Sequence, residues 1–355
     1  MKVVFHFGPP KSGTSAIQKW MSSNRQWLTE QGIFYPNHVL DVNGVSSGNL
    51  RKIFTESETG LEFSNSLMAT EIEAAKQAQC HTLVFSSEFF FRKLEEIAHK
   101  VQEAHFVGYV RFGLEMMQSS YNQAVKRHGK TEPFKQIGHL QSTLVALSSS
   151  ISKIGEDRFS LRPYSKELFV SESIVADFLY VLGIDHTNVD TSVGRINPSY
   201  CIESIEVKRW FNQLQSQSLQ TQLDLALQSY GDSTSFSLFT DHNFEKNKNA
   251  YLRQLRRFLD SHKVAYSEEF YKQCAAQVNK HYQKQELTAV EFKRVLTELL
   301  KQRKLSRTAL YLAYNEAIPR KDELSHPERI AVLRQLTPKW LRLVQKLKKS
   351  LSTSG

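Results

Sequence analysis

A short loop rich in hydroxyl groups follows the first apolar run of the sequence. Residues 2–7 have the composition of a strand, and residues 8–15 then read Gly-Pro-Pro-Lys-Ser-Gly-Thr-Ser before a helical pattern begins. A turn between strand and helix presents backbone N–H groups and the positive helix end to an anion. Lys11 adds positive charge, and Ser12, Thr14 and Ser15 add hydroxyl donors. The pattern indicates a phosphate or sulfate site; the alternative is an ordinary Gly-Pro turn.

The loop differs from the Walker A sequence of nucleoside triphosphatases. That sequence ends in Gly-Lys-Ser/Thr, whose hydroxyl binds magnesium. Here Lys11 stands two positions before Gly13, and the triplet is missing. A P-loop kinase acting on ATP is therefore the less favoured interpretation, and magnesium dependence would distinguish it.

A second anion-binding pattern follows a later strand. Residues 105–110 are strand-like and end at Arg111, and Ser119 follows eight positions later on a predicted helix. A guanidinium fork suits a phosphate dianion, and open α/β sheets bind ligands where their strands end. Each residue alone would be an ordinary surface side chain.

Taken together, the two motifs resemble the sulfotransferases that use 3'-phosphoadenosine 5'-phosphosulfate (PAPS). The family's phosphosulfate loop reads Pro-Lys-Ser/Thr-Gly-Thr-Thr/Ser, and an arginine at a strand end with a serine eight residues later holds the 3'-phosphate. Phe112-Gly113 replaces the usual Asp/Asn-Pro after the arginine. The resemblance implies a set of PAPS-binding residues and no metal requirement: Pro10, Lys11, Ser12, Gly13, Thr14, Ser15, Arg111 and Ser119.

The resemblance also implies a catalytic base at a strand end between the two motifs. Glycan-modifying members use glutamate there, and the matching residue is Glu88, which follows a strand-like run and precedes three phenylalanines. An apolar surround would raise the pKa of this carboxyl. The alternative is that Glu88 caps the next helix. Lys11 would stabilise the leaving group, so Lys11 and Glu88 are the predicted catalytic residues. His6 is expected to be a packing residue.

A third nucleotide contact is predicted less directly. Arg195 falls where the family has a loop that closes over the nucleotide, but the Lys-Gly pair common there is missing. Arg195 is therefore either a cofactor ligand or part of a loop between domains.

Strands alternate with helices up to about residue 200, which predicts an α/β fold with a parallel sheet flanked by helices. The resemblance implies that this sheet is P-loop-NTPase-like. Within this part, residues 89–103 and 170–182 are predicted to be helices, the second ending at Gly183, and residues 41–66 are expected to be mostly irregular. Helical periodicity dominates beyond residue 200. We expect a sulfotransferase domain over 1–285, with a PAPS-binding core over about 1–200 and a helical acceptor-side region over about 201–285. Residues 286–355 would form a basic helical extension.

The net charge of +10 is concentrated at the carboxyl-terminal end, where residues 285–355 carry 15 Lys and Arg against 7 Asp and Glu. Because the rest of the chain is near neutral, no nucleic-acid partner is expected. Residues 338–355 form an amphipathic pattern that either packs on the body or lies on an anionic membrane. Three widely spaced cysteines and the start of the sequence, which has no secretory pattern, predict a cytoplasmic protein.

The predicted activity is sulfuryl transfer from PAPS to an acceptor hydroxyl, by analogy on a carbohydrate or glycolipid. The aromatic and polar residues of the second half either line a sugar cleft or form a helical core: Trp210, Phe211, Tyr230, Phe236, Phe239, His242 and Tyr251. The remaining alternative is a catalytically inactive nucleotide-binding scaffold.

Overall fold

The computed structural model describes residues 1–8, 12–38, 48–58, 60–136, 141–193, 200–215, 217–231 and 235–341. Contacts divide the chain into two compact units. The first contains Met1–Met117, the described parts of residues 137–196, and Asn243–Val278. The second contains Gln118–Gln136 and the described parts of 197–242 and 279–355. The functional division expected at residue 285 stays a prediction.

The elements up to residue 182 alternate between strands and helices. In chain order they are β1 Lys2–Phe7, α1 Thr14–Ser23, α2 Arg25–Glu30, β2 Ile33–Phe34, β3 Phe54–Ser57, β4 Gly60–Phe63, α3 Asn65–Gln77, β5 Thr82–Ser87, α4 Leu94–Lys100, β6 Ala104–Val110, α5 Gly113–Arg127, α6 Gln141–Ile154, β7 Phe159–Pro163 and α7 Ile174–Leu182. The remaining elements are helical: α8 Ile202–Phe211, α9 Gln217–Gln228, α10 Asp241–Ser261, α11 Ser267–Ala276, α12 Ala289–Lys301, α13 Arg307–Ala317 and α14 Arg329–Leu336.

Five of the strands form a parallel sheet in the order β2-β5-β1-β6-β7, flanked by helices. The predicted α/β class and the helical carboxyl-terminal region are confirmed. Phe7, the last residue of β1, is opposite Ser87 of β5 and Gly108 of β6. The carboxyl ends of these three strands therefore meet at one edge of the sheet.

Both faces of the sheet are covered, and its central strands place apolar side chains on each face. Val4, Val84 and Val107 belong to a core with side chains of α1, α2 and α7. Phe5, on the opposite face, stacks on Phe85 and Phe106 with ring centroids 5.3 and 5.9 Å away. Strands buried on both faces read as continuous hydrophobic runs, which is why β1, β5 and β6 were recognisable from sequence.

Several predicted boundaries were wrong. A helix was expected over 89–103, but the chain forms a 3-10 segment over Glu88–Arg92 and then α4, with Phe90 packed in the core against Phe5 and Phe54. The helix expected from residue 170 begins at Ile174, since Ser173 caps it by accepting the N–H of Ala176. Its predicted end at Gly183 is confirmed. The β3–β4 hairpin lies in a stretch expected to be irregular.

The second unit is helical and has a core of its own. Its centre is Trp210 and Phe211 of α8 with Phe292 of α12, whose rings contact one another at centroid distances of 5.1 to 5.8 Å. Leucines of α9, α12 and α13 fill the space around these rings. Across the described part of the chain, no helix is both long enough and apolar enough to span a bilayer.

Candidate functional site

The side chains of Ser12 and Thr14 lie close to Gly8. A β-carbon built on Gly8 would lie 2.1 Å from Oγ of Ser12 and 2.7 Å from Oγ1 of Thr14, so only glycine fits beneath these hydroxyl groups. Gly13 precedes α1 with a φ of +82°, a left-handed conformation that glycine adopts without strain. The local sequence therefore brings two hydroxyl groups together at the start of α1.

The amino-terminal end of α1 has features that favour a bound anion. Gly13 supplies no side-chain cap, and the first turn carries no acidic residue. Oγ1 of Thr14 is buried, and among the residues that the structure describes it has no hydrogen-bond partner. A buried hydroxyl without a partner is costly unless a ligand completes it. The residues present therefore fit a bound phosphate or sulfate group.

Glu88 lies beside this loop by strand register. Ser87 is opposite Phe7 in the parallel pairing of β5 with β1, so Glu88 and Gly8 follow their strands at the same level. Neighbouring strands are about 4.8 Å apart. Oγ of Ser87 accepts the N–H of Phe89, so Ser87 and not Glu88 caps the 3-10 segment. The alternative in which Glu88 caps the next helix is therefore wrong, because the capping residue is Ser87, one position earlier.

The three phenylalanines after Glu88 point in different directions. Phe90 is buried and packs edge-on against Phe5, while Phe91 stacks near Phe7. Phe89 is 43% exposed. Two of the three rings therefore pack against side chains of β1, and the third is partly exposed. The raised pKa expected for the Glu88 carboxyl stays a prediction.

Arg111 follows β6, on the other side of β1 from Glu88. Nη2 of its guanidinium lies 3.2 Å from Oε2 of Glu115, and the guanidinium carbon lies 4.8 Å from the ring centre of Tyr164. The hydroxyl of Tyr251 donates to the backbone carbonyl of Arg111 at 2.9 Å. The Arg111 side chain is largely buried, with 18% exposed, and is thus held at the carboxyl edge of the sheet.

Ser119 lies on α5, which begins two residues after Arg111. Ser119 is just under two helical turns from the start of α5 at Gly113. The predicted strand-then-helix context of this motif is confirmed, while its role as a ligand stays a prediction.

Some predicted site residues lie outside the described residues. They are Pro10, Lys11 and Arg195. Most of the 338–355 segment also lies outside, because the description ends at Leu341.

His6 belongs to a buried polar network behind the loop. Its ring is fully buried, Nδ1 lies 2.8 Å from Oγ of Ser86, and burial lowers the pKa of the imidazole to about 3. The Ser86 carbonyl accepts the amide of Gln18, and its N–H donates to Asn49. The packing role expected for His6 fits this arrangement. The network was not foreseen, because Ser86 and Asn49 are distant in sequence.

The aromatic residues considered for a sugar cleft are mostly core. Five of them have less than a tenth of their surface exposed: Trp210, Phe211, Phe236, Phe239 and Tyr251. The cleft interpretation is wrong for these five, since a buried ring cannot stack on a ligand. Sequence reasoning missed two residues that contact Arg111 directly, Glu115 and Tyr164. The sequence signals for them are a carboxylate four positions after the arginine and an aromatic residue directly after β7.

The chain matches no protein-family model and no curated protein. Among solved structures, a sulfotransferase from Alicyclobacillus acidocaldarius is similar with a TM-score of 0.43 and 10% sequence identity, over 76% of this chain and 99% of that protein. At this level the similarity extends no further than the general course of the chain.

Proposed function

We propose that this protein is a sulfotransferase that moves a sulfuryl group from PAPS to an acceptor hydroxyl. One observation carries the proposal: the hydroxyl-lined loop, Glu88 and Arg111 follow the carboxyl ends of three adjacent parallel strands. Glu88 and Arg111 follow strands that are two spacings apart, roughly 10 Å, and β1 lies between those strands. In this order the proposed anion site would lie in the middle, with a carboxylate on one side and a cation on the other.

The loop is the proposed site for the phosphosulfate end of the donor. The N–H groups at the start of α1 and the hydroxyl groups of Ser12, Thr14 and Ser15 would donate to its oxygens. Pro10 and Lys11 complete the motif in sequence. Arg111 would pair with the 3'-phosphate through its in-plane N–H groups, and Ser119 would add a hydroxyl. Arg195 is retained as a candidate contact to the nucleotide.

When bound, the donor supplies an electrophilic sulfur. Glu88 is proposed to accept the proton of the acceptor hydroxyl as its oxygen forms a bond to sulfur. The bond between sulfur and the bridging phosphate oxygen breaks in the same displacement, and Lys11 is proposed to stabilise the negative charge on that oxygen. The products are a sulfated acceptor, adenosine 3',5'-bisphosphate and a protonated Glu88.

The acceptor is proposed to be a carbohydrate or glycolipid hydroxyl, which rests on the resemblance alone. A panel of glycans, glycolipids and phenols incubated with radiolabelled PAPS tests both the reaction and the acceptor class. Transfer to phenols but not to sugars would remove the glycan proposal and leave the sulfotransferase proposal intact.

Calorimetry tests the donor independently of the acceptor. Adenosine 3',5'-bisphosphate is expected to bind more tightly than ATP, and magnesium is expected to have no effect. Equal binding of ATP, or binding of neither nucleotide, would refute the proposal. Bisphosphate binding with no transfer to any acceptor would favour an inactive scaffold.

Substitution of the two catalytic candidates gives the most direct test of their roles. Lys11→Ala and Glu88→Gln are each expected to lower turnover by roughly 100-fold or more, because each removes a charge acting on the transition state. Glu88→Gln should leave bisphosphate affinity unchanged. Glu95→Gln is a suitable control, since Glu95 pairs with Lys153 on the surface. Wild-type turnover in Glu88→Gln would exclude Glu88 as the base.

A further inference from the structure

We infer that Tyr164 is a positioning residue that fixes Arg111 for recognition of the nucleotide's 3'-phosphate. The guanidinium carbon of Arg111 lies 4.8 Å from the ring centre of Tyr164. An arginine is flexible in isolation, and stacking on an aromatic face restricts it before any ligand arrives. The inference deepens the proposed function and rests on it.

The ring of Tyr164 is itself held in place. The backbone N–H of Tyr164 donates to the carbonyl of Val110 at 2.7 Å, which fixes the residue against the end of β6. Phe169 packs edge-on against the ring at 5.6 Å and in turn packs against Tyr109 at 5.9 Å. Arg111 therefore stacks on a fixed ring and not on a mobile surface side chain.

The support behind Phe169 is a buried ion pair. Arg162 donates to both carboxylate oxygens of Asp177, and Asp177 also accepts the N–H of Val170, the residue after Phe169. A carboxylate that accepts from several partners in the interior is strongly localised. Phe169, which packs against the Tyr164 ring, is thus held by its contact with Tyr109 and by the hydrogen bond of Val170 to Asp177.

The same ring reaches the loop after β1. A β-carbon built on Gly13 would lie 2.7 Å from Cε2 of Tyr164 and 2.2 Å from Cδ1 of Ile174. Tyr164 consequently contacts the loop at one edge and carries Arg111 on its face. One rigid side chain sets the separation of the two proposed anchors, the loop for the 5' end and Arg111 for the 3' end.

Stacking leaves the recognition chemistry of Arg111 intact. The N–H groups of a guanidinium lie in its plane, so a ring on its face leaves them able to donate to a phosphate. Glu115, at 3.2 Å from Nη2, contacts one edge of the same plane. Tyr164 and Glu115 together define how the guanidinium is rotated.

The test is calorimetry with adenosine 3',5'-bisphosphate and adenosine 5'-monophosphate. Tyr164→Leu is expected to lose roughly tenfold in bisphosphate affinity, and much less in monophosphate affinity, because only the former uses Arg111. Tyr164→Phe keeps the ring and should retain the wild-type preference. Tyr164→Leu should also have little effect in an Arg111→Met background, since the ring acts through the arginine. Tyr164→Met is measured in parallel as a second variant that removes the ring.

A matched control is Tyr180→Leu. Tyr180 is 57% exposed and lies near a different arginine, Arg162, at 5.6 Å. It should leave the preference unchanged. Circular dichroism and the thermal midpoint establish that each variant is folded.

The outcomes distinguish the positioning role from the proposed function. A folded Tyr164→Leu that keeps the bisphosphate preference, or that loses both ligands equally, overturns the positioning role while the sulfotransferase proposal stands. A wild-type protein with no preference for the bisphosphate overturns the proposed function, and this inference with it.

Discussion

The conformation of Gly13 makes a quantitative prediction about the loop. A Gly13→Ala substitution encounters two separate costs. The backbone φ of +82° costs a non-glycine residue about 1–2 kcal/mol. The new methyl group would also overlap Ile174 and Tyr164, whose nearest atoms are 2.2 and 2.7 Å from the position that its carbon would occupy. Overpacking of this kind costs roughly 1–3 kcal/mol. We expect Gly13→Ala to lower the free energy of unfolding by about 2–5 kcal/mol.

Gly183 separates the two costs. It has nearly the same φ, +80°, but no atom of the described residues lies within 4 Å of the position of its added β-carbon. Gly183→Ala is therefore expected to lose only about 1–2 kcal/mol from backbone strain. Both glycines belong to the first unit, so the same unfolding transition reports on them.

The assay is urea unfolding followed by tryptophan fluorescence. Trp20 and Trp27 lie on α1 and α2 with ring centroids 5.7 Å apart, close in sequence to the substituted loop. The difference between the two variants gives the overlap cost directly. If Gly13→Ala is no less stable than Gly183→Ala, then Tyr164 and Ile174 do not enclose Gly13, and the link between the loop and Arg111 is wrong. Calorimetry should also show weaker bisphosphate binding for Gly13→Ala alone.

Two further predictions concern buried charge. Burial lowers the pKa of His6 to about 3 from an ordinary value near 6.5. Between these pH values the unfolded chain therefore binds a proton at His6 and the folded chain does not. Wild-type stability should fall by roughly 1.4 kcal/mol per pH unit more than that of His6→Gln as pH drops from 6 to 4; parallel urea midpoints for the two proteins would contradict a buried neutral imidazole. Asp177→Ala leaves the buried Arg162 uncompensated and should lower the free energy of unfolding by about 3–5 kcal/mol, whereas Glu56→Ala removes an exposed pair with Arg51 and should have little effect on stability. Similar urea midpoints for these two variants would argue against a buried ion pair.

Local sequence was sufficient for the elements that carry the candidate site. β1, β5 and β6 are rich in apolar residues because these strands are buried on both faces of the sheet. The loop after β1 and the α5 start after Arg111 depend on neighbouring residues only. Gly183 ends α7 for the same local reason.

Element boundaries were less accessible where side chains far apart in sequence compete. Phe90 is drawn into the core by Phe5 and Phe54, which interrupts the helix expected over 89–103. The sequence around Phe90 does not predict contacts with Phe5 and Phe54, which are distant in the chain. The burial of Trp210 and Tyr251 was equally undecided, because an aromatic face on a helix has the same spacing in a core as in a cleft.

By itself the sequence determined a loop of hydroxyl-bearing residues between a strand and a helix, and an arginine at a later strand end, because both depend on residues close together in the chain. Only the tertiary structure decided that β5 and β6 lie on opposite sides of β1, since strand order is set by backbone pairing between distant segments. The same long-range packing placed Tyr164 between Gly13 and Arg111. The residues adjacent in sequence to Gly13, Arg111 and Tyr164 do not predict this contact. It forms because β1, β6 and β7 end at the same edge of the sheet.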